Sequence, residues 1–216
     1  RGGPAHAPMI GTEMTGTELL NRVLDAAGAP GGLADDLGAL GADEADVLAC
    51  LDEIRAMVVR DLEGALRALE VVERLADSID SDRARARLRS VRGHALNYAT
   101  RFDDAADAAA ASAALAESIS DPAEAARARM VLVHAYAKLG RLDDALASAL
   151  SAERAFIDAG QPVLAVQALC NAGIVTRMRG DGPAAIDMFE RALTLTELGP
   201  ATRAAIEAGL AEALLD

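Results

Sequence analysis

The sequence predicts an all-α protein built from repeated pairs of helices, and three observations carry that prediction. Alanine dominates the composition while aromatic residues make up 2% and tryptophan is absent, which suits closely packed helices better than a sheet of β-branched and aromatic residues. The segments Arg101-Phe102-Asp103-Asp104-Ala105 and Arg141-Leu142-Asp143-Asp144-Ala145 are near copies 40 positions apart. The same step reaches Ala185 in Asp181-Gly182-Pro183-Ala184-Ala185 and, backwards, Ala65 in Asp61-Leu62-Glu63-Gly64-Ala65, so four units share one register.

Small residues mark where helices cross. Gly93 and Gly173 fall in the middle of each first helix, and Ser112, Ala152 and Ala192 recur in the second. Helix axes packed about 8 Å apart need such positions. Thr100, Gly140 and Gly180 occupy the turn before each second helix. Asp121-Pro122 and Gln161-Pro162 read as helix starts, since proline is tolerated in a first turn. The paired aspartates 103/104 and 143/144 favour the positive end of a helix dipole.

Taken in order, residues 1–14 read as a flexible lead-in or tag remnant and residues 15–43 as an N-terminal helical cap. In that cap Thr15 to Ala27 forms a short helix with Leu19, Leu20, Val23 and Leu24 on one face, and Gly31 to Leu40 a weaker second one. The repeats span 44–78, 83–119, 122–159 and 162–197, each divided into two helices: 44–59 with 62–78, 83–99 with 102–119, 122–139 with 142–159, and 162–179 with 182–197. A last helix over 201–215 has no partner in this register and caps the stack or continues into a longer protein.

The formal charge of −13 repels nucleic-acid phosphate and anionic lipid over most of the surface, so neither nucleic acid nor membrane is an expected partner. No apolar stretch reaches the roughly 18–20 residues that cross a bilayer; the run from Ala105 to Ala116 is broken by Asp107. The two cysteines, Cys50 and Cys170, lie in no metal-like spacing and fit a reducing cytoplasm. No phosphate loop, HExxH, nucleophile elbow or convergent carboxylate pair stands out, so no catalytic residue, cofactor or metal is expected.

In the last repeat the order Gly173, Gly180, Ala185, Phe189, Ala192, and in the middle one Tyr136, Gly140, Ala145, Ala152, resembles the tetratricopeptide repeat (TPR) pattern over about residues 44–216. The period is 40 rather than the usual 34, and Glu53 stands where the first unit should have a small residue. Repeats of this length are similar to those of bacterial proteins that carry a CHAT protease or a transcription-regulator domain, and to those of peptide-binding adaptors. The resemblance implies a right-handed α-solenoid of antiparallel pairs that binds a protein or peptide and is not itself an enzyme. Two other readings stay open: a non-catalytic arm of a larger enzyme or regulator, and self-assembly through the stack ends.

The resemblance also implies a concave groove lined by the first helix of each pair. Its candidate residues are Arg87, Arg127 and Gln167 in one column, His94 and His134 in another, then Asn171, then Asn97 with Arg177, then Tyr98 with Lys138. On an acidic chain this face gathers cations, histidines and asparagines and would favour an acidic segment or a terminal carboxylate. The competing reading pairs these arginines with Glu70, Glu73 and Asp77 of the preceding helix. The run Arg83, Arg85, Arg87, Arg89, Arg92 opposes the dipole of its own helix and asks for inter-repeat ion pairs or a partner. His94 and His134, about 10 Å apart on adjacent helices, are too far apart for one zinc ion.

Overall fold

The computed structural model describes residues 15–28 and 42–215. Among them are ten α-helices and no strand: α1 Gly16–Gly28, α2 Glu44–Met57, α3 Leu62–Ser78, α4 Asp82–Tyr98, α5 Phe102–Ser118, α6 Pro122–Lys138, α7 Leu142–Asp158, α8 Pro162–Met178, α9 Gly182–Thr194 and α10 Pro200–Leu215. The expected lead-in and the helix over Gly31 to Leu40 lie outside the described residues. No helix among the described residues is long and apolar enough to cross a membrane.

From α3 to α8 every helix has 17 residues, and helix starts recur every 20, so the backbone period is half the sequence period. One turn, used six times, produces this. Asp80, Thr100, Ser120, Gly140, Gly160 and Gly180 all have positive φ, between 51° and 83°. In five of the six turns the next residue's N–H reaches back five positions, as Arg101 does to Leu96 at 3.0 Å and Arg141 to Tyr136 at 2.9 Å. The last carbonyls of each helix are thereby satisfied in a Schellman arrangement. Such short turns force consecutive helices antiparallel.

A β-branched residue at positive φ is strained by contact between its Cβ and the following carbonyl. Thr100, at φ 58°, is exposed and its hydroxyl has no hydrogen-bond partner among the described residues. Thr100→Gly is therefore expected to stabilise the protein by about 1 kcal/mol. Chemical denaturation checks this, and a loss of stability would contradict it.

Helix starts are fixed locally. Asp61, Ser81, Asp121 and Asp181 accept from the backbone N–H three residues on, at 2.8, 3.0, 3.0 and 3.2 Å. Arg101 and Arg141 occupy the same position without a side-chain cap and pair instead with Asp104 and Asp144 at 2.7 and 2.8 Å. Thr15 and Glu18 form a reciprocal capping box at the start of α1, with Leu19, Leu20 and Val23 buried behind it.

Packing follows the small residues. The buried face of α5 consists of Ala105, Ala106, Ala109, Ser112, Ala113 and Ala116, and a Cβ on Gly93 of α4 would stand 3.0 Å from the carbonyl oxygen of Ala105. Each helix packs on the next, and α2, α4, α6, α8 and α10 also pack on one another. The second helices, α3, α5, α7 and α9, do not come as close together. The first-helix layer therefore lies on the inside of the curve, as in an α-solenoid. α1 packs against α2 and α3 and extends the apolar core there with Leu19, Val23, Val47, Leu51 and Ile54. At the other end α10 joins the first-helix layer beside α8. α9 stops at Thr194 rather than 197, because residues 195–199 turn the chain back towards Pro200, with Leu195 and Leu198 on the core.

Candidate functional site

The inner layer is indented by two adjoining cavities of about 210 Å³ each. The first is lined by Asp52, Arg55, Arg87, Arg127, Met130, Phe156, Leu164 and Gln167. The second is lined by Arg55, His94, Asn97, Tyr98, Met130, Val131, His134 and Asn171. They share Arg55 and Met130, so they form one cleft crossing α2, α4, α6 and α8. Among the sequence candidates, Arg87, Arg127 and Gln167 fall in the first cavity, and His94, Asn97, Tyr98, His134 and Asn171 in the second.

Two candidates fall elsewhere. Lys138 is exposed and lines neither cavity. Arg177 belongs to a separate 390 Å³ cavity with Gly180, Pro183, Ile186 and Leu214 and pairs with Glu212 of α10 at 2.9 Å. The sequence reading missed Arg55 and Met130, which join the two cavities, and the apolar Phe156 and Leu164. Their signal was weak for a physical reason. The expected groove columns begin in α4, so they hold no position of α2, which starts at Glu44 behind an Asp43–Asp46 capping box rather than at the 42 that the 20-residue spacing gives.

Arg87 lines the first cavity but is already bonded on all sides. Its Nε and Nη2 reach Glu124 Oε2 at 2.7 and 2.6 Å, and its Nη1 reaches Asp52 Oδ1 at 2.5 Å. Burial works against its charge, yet Glu124 and Asp52 hold its pKa above the ordinary arginine value. Arg87 thus ties α2, α4 and α6 together, with partners other than the expected Glu70, Glu73 and Asp77. Much of the arginine run is paired likewise: Arg83 with Asp121 at 3.0 Å, Arg85 with Asp77, Asp80 and Asp82 at 3.4, 2.8 and 2.9 Å, and Arg92 with Glu73 at 2.9 Å. Arg129 pairs with Glu117. Ion pairing between helices explains most of that run.

Arg127 is less tied down, with Glu124 at 3.8 Å and Gln161 at 3.5 Å. Asn97, 6% exposed, donates through its amide to the Val131 carbonyl at 3.1 Å, while its Oδ1 is buried with no partner among the described residues. Among the described residues no group of three or more histidines, cysteines or carboxylates could hold a metal ion. Burial and the charge of Glu53 push the Cys50 thiol up to about 12, so it stays a thiol at neutral pH.

Burial, then the charges of Arg55 and His134, push the His94 imidazole down to about 4. His134 is lowered by burial and by Lys138. In the unfolded chain an imidazole titrates near 6.5. Between those values the unfolded state binds a proton that folded His94 refuses, so stability is full above about pH 6.5 and falls as pH drops towards 4. His94→Gln is expected to lose less stability than the wild type over that window, and the His94 ring resonances are expected not to titrate until near pH 4. A midpoint near 6.5 by NMR would contradict this.

The chain aligns with the crystal structure of BtubC (BKLC) from P. vanneervenii at a TM-score of 0.70 and 17% identity, covering 91% of this chain and 83% of that one. The likeness shows a helical-repeat fold. At that identity it carries the fold alone. No family model matches the sequence, and no curated protein matches it either.

Proposed function

We propose that this chain is a TPR-type protein-interaction module that holds an acidic segment of another protein along its inner face. The observation that carries the reading is the cleft shared by α2, α4, α6 and α8, where Arg55 and Arg127 gather beside an Arg87 already matched by Asp52 and Glu124, on a chain whose formal charge is −13. A cationic cleft on an acidic body attracts an anionic partner and repels further copies of the chain. The polar groups around His94, Asn97 and Asn171 suit a peptide backbone, and Met130, Phe156 and Leu164 offer apolar contact. A cytoplasmic setting accords with two free, unpaired cysteines.

The test replaces Arg127 and Asn171 together by alanine, since neither side chain holds the helices together as Arg87 does. Affinity capture from the source cell is expected to lose its partner by about tenfold or more, with helicity unchanged. Equal capture by both proteins would remove the groove as the binding surface.

A further inference from the structure

Arg55 differs from the arginines around it. Among the described residues it makes no hydrogen bond and no ion pair, although it is partly buried and stands where the two cavities meet. Burial, then the charges of Arg87 and Arg127, lower its pKa from the usual arginine value, with the charges of Asp52 and Glu124 opposing them. A guanidinium partly withdrawn from water without a partner loses hydration that nothing in the fold replaces. Such departures from local consistency cluster at sites that a ligand completes.

Charge, geometry and surroundings narrow the ligand. The first cavity sets three cations, Arg55, Arg87 and Arg127, against Asp52 and Glu124, which leaves one positive charge unmatched. One carboxylate balances it, whereas a phosphate monoester, at about −1.5 to −2, would over-fill it. A free guanidinium matches a carboxylate through two parallel N–H···O bonds. The cleft continues on both sides of Arg55, so a chain presenting the carboxylate there has room to run on in both directions. On one side Met130, Phe156 and Leu164 supply an apolar wall. On the other the wall is more polar, with His94, His134 and Asn171.

We propose that Arg55 anchors the side-chain carboxylate of an internal aspartate or glutamate of an extended peptide. An apolar side chain next to that acid lies against Met130, Phe156 and Leu164. This rests on the groove function above and adds the anchoring residue and the ligand chemistry to it.

Two octapeptide libraries, acetylated and amidated at their ends, test the proposal on the immobilised full chain. One has a fixed central glutamate and the other glutamine, with the remaining positions random. The glutamate library is expected to enrich, with apolar residues beside the acid. The best binder is then titrated in glutamate and glutamine forms against wild type and Arg55→Gln. The change from glutamate to glutamine is expected to weaken binding to wild type by about tenfold or more and to Arg55→Gln by less than about threefold. Arg55→Gln itself is expected to melt no lower than wild type, since it loses an unpaired charge and no bond.

Other outcomes separate the two claims. Enrichment from neither library, whatever its termini, would overturn the groove function and this anchor with it. Binders whose glutamate–glutamine difference persists in Arg55→Gln would overturn the anchor and leave the groove standing. Both libraries are also made with free C-termini, and enrichment confined to those forms would assign the pocket to a chain end and overturn the internal carboxylate. An Arg55→Gln protein melting well below wild type would make Arg55 a structural residue.

Discussion

Arg87→Met is expected to lower the unfolding free energy by about 3–5 kcal/mol. Glu124 is 1% exposed and its Oε1 already lacks a partner. Without Arg87 its carboxylate keeps, among the described residues, only Arg127 at 3.8 Å. The loss comes from stranding a buried charge rather than from the worth of the pair itself, because both ions were desolvated when the helices packed. The double variant Arg87→Met with Glu124→Leu is therefore expected to recover most of the stability. Urea denaturation of the three proteins checks this, and a nearly neutral single variant would mean that the pair is solvated.

Phe189→Ala is expected to cost a similar amount, about 3–5 kcal/mol, at the other end of the stack. Its ring, 1% exposed, packs with Val166, Leu169, Ala185, Ala192, Ile206 and Ala213. A Cβ on either Gly173 or Gly209 would lie 2.9 Å from that ring, so α8 and α10 approach it as closely as glycine permits. Removing the ring opens a cavity between three helices that neither glycine can fill. In a solenoid held by nearest-neighbour contacts the damage stays local. Hydrogen exchange is expected to speed up across α9 and α10 while α4 to α6 keep their protection; uniform loss along the chain would contradict nearest-neighbour coupling.

The fold was legible because its rules are local. Gly140 and Gly180 announce the left-handed turn by residue type, and Thr100 does so by its place in the same register. Asp80 and Ser120 adopt the same conformation but read as ordinary turn residues, which hid the 20-residue period behind the 40-residue one. Gly93, Gly173 and the alanine columns predicted close helix crossings, and the contacts of Gly93 with Ala105 and of Gly173 with Phe189 supply them.

The site was legible in part, because lining a face is a matter of register and pairing is a matter of neighbours. The columns placed His94, His134, Arg127, Gln167 and Asn171 on the cleft. They could not show that Arg87 is consumed by two partners from flanking helices, since Asp52 and Glu124 lie 35 and 37 residues away in sequence. Glu124 reads as a first-turn acid suited to the helix dipole, and only the packing of α4 on α6 buries it. Arg55 stayed hidden because the groove columns begin in α4, and Phe156 because it reaches the cleft from a second helix.

The central claim is that the inner layer binds an acidic peptide. The most direct measurement is a backbone amide shift map of the wild-type chain titrated with the glutamate octapeptide recovered by selection. The shifts are predicted to gather at Arg55, His94, Asn97, Arg127, Gln167 and Asn171, on α2, α4, α6 and α8. Shifts concentrated on α3, α5 and α7, or around the α10 end, would contradict it.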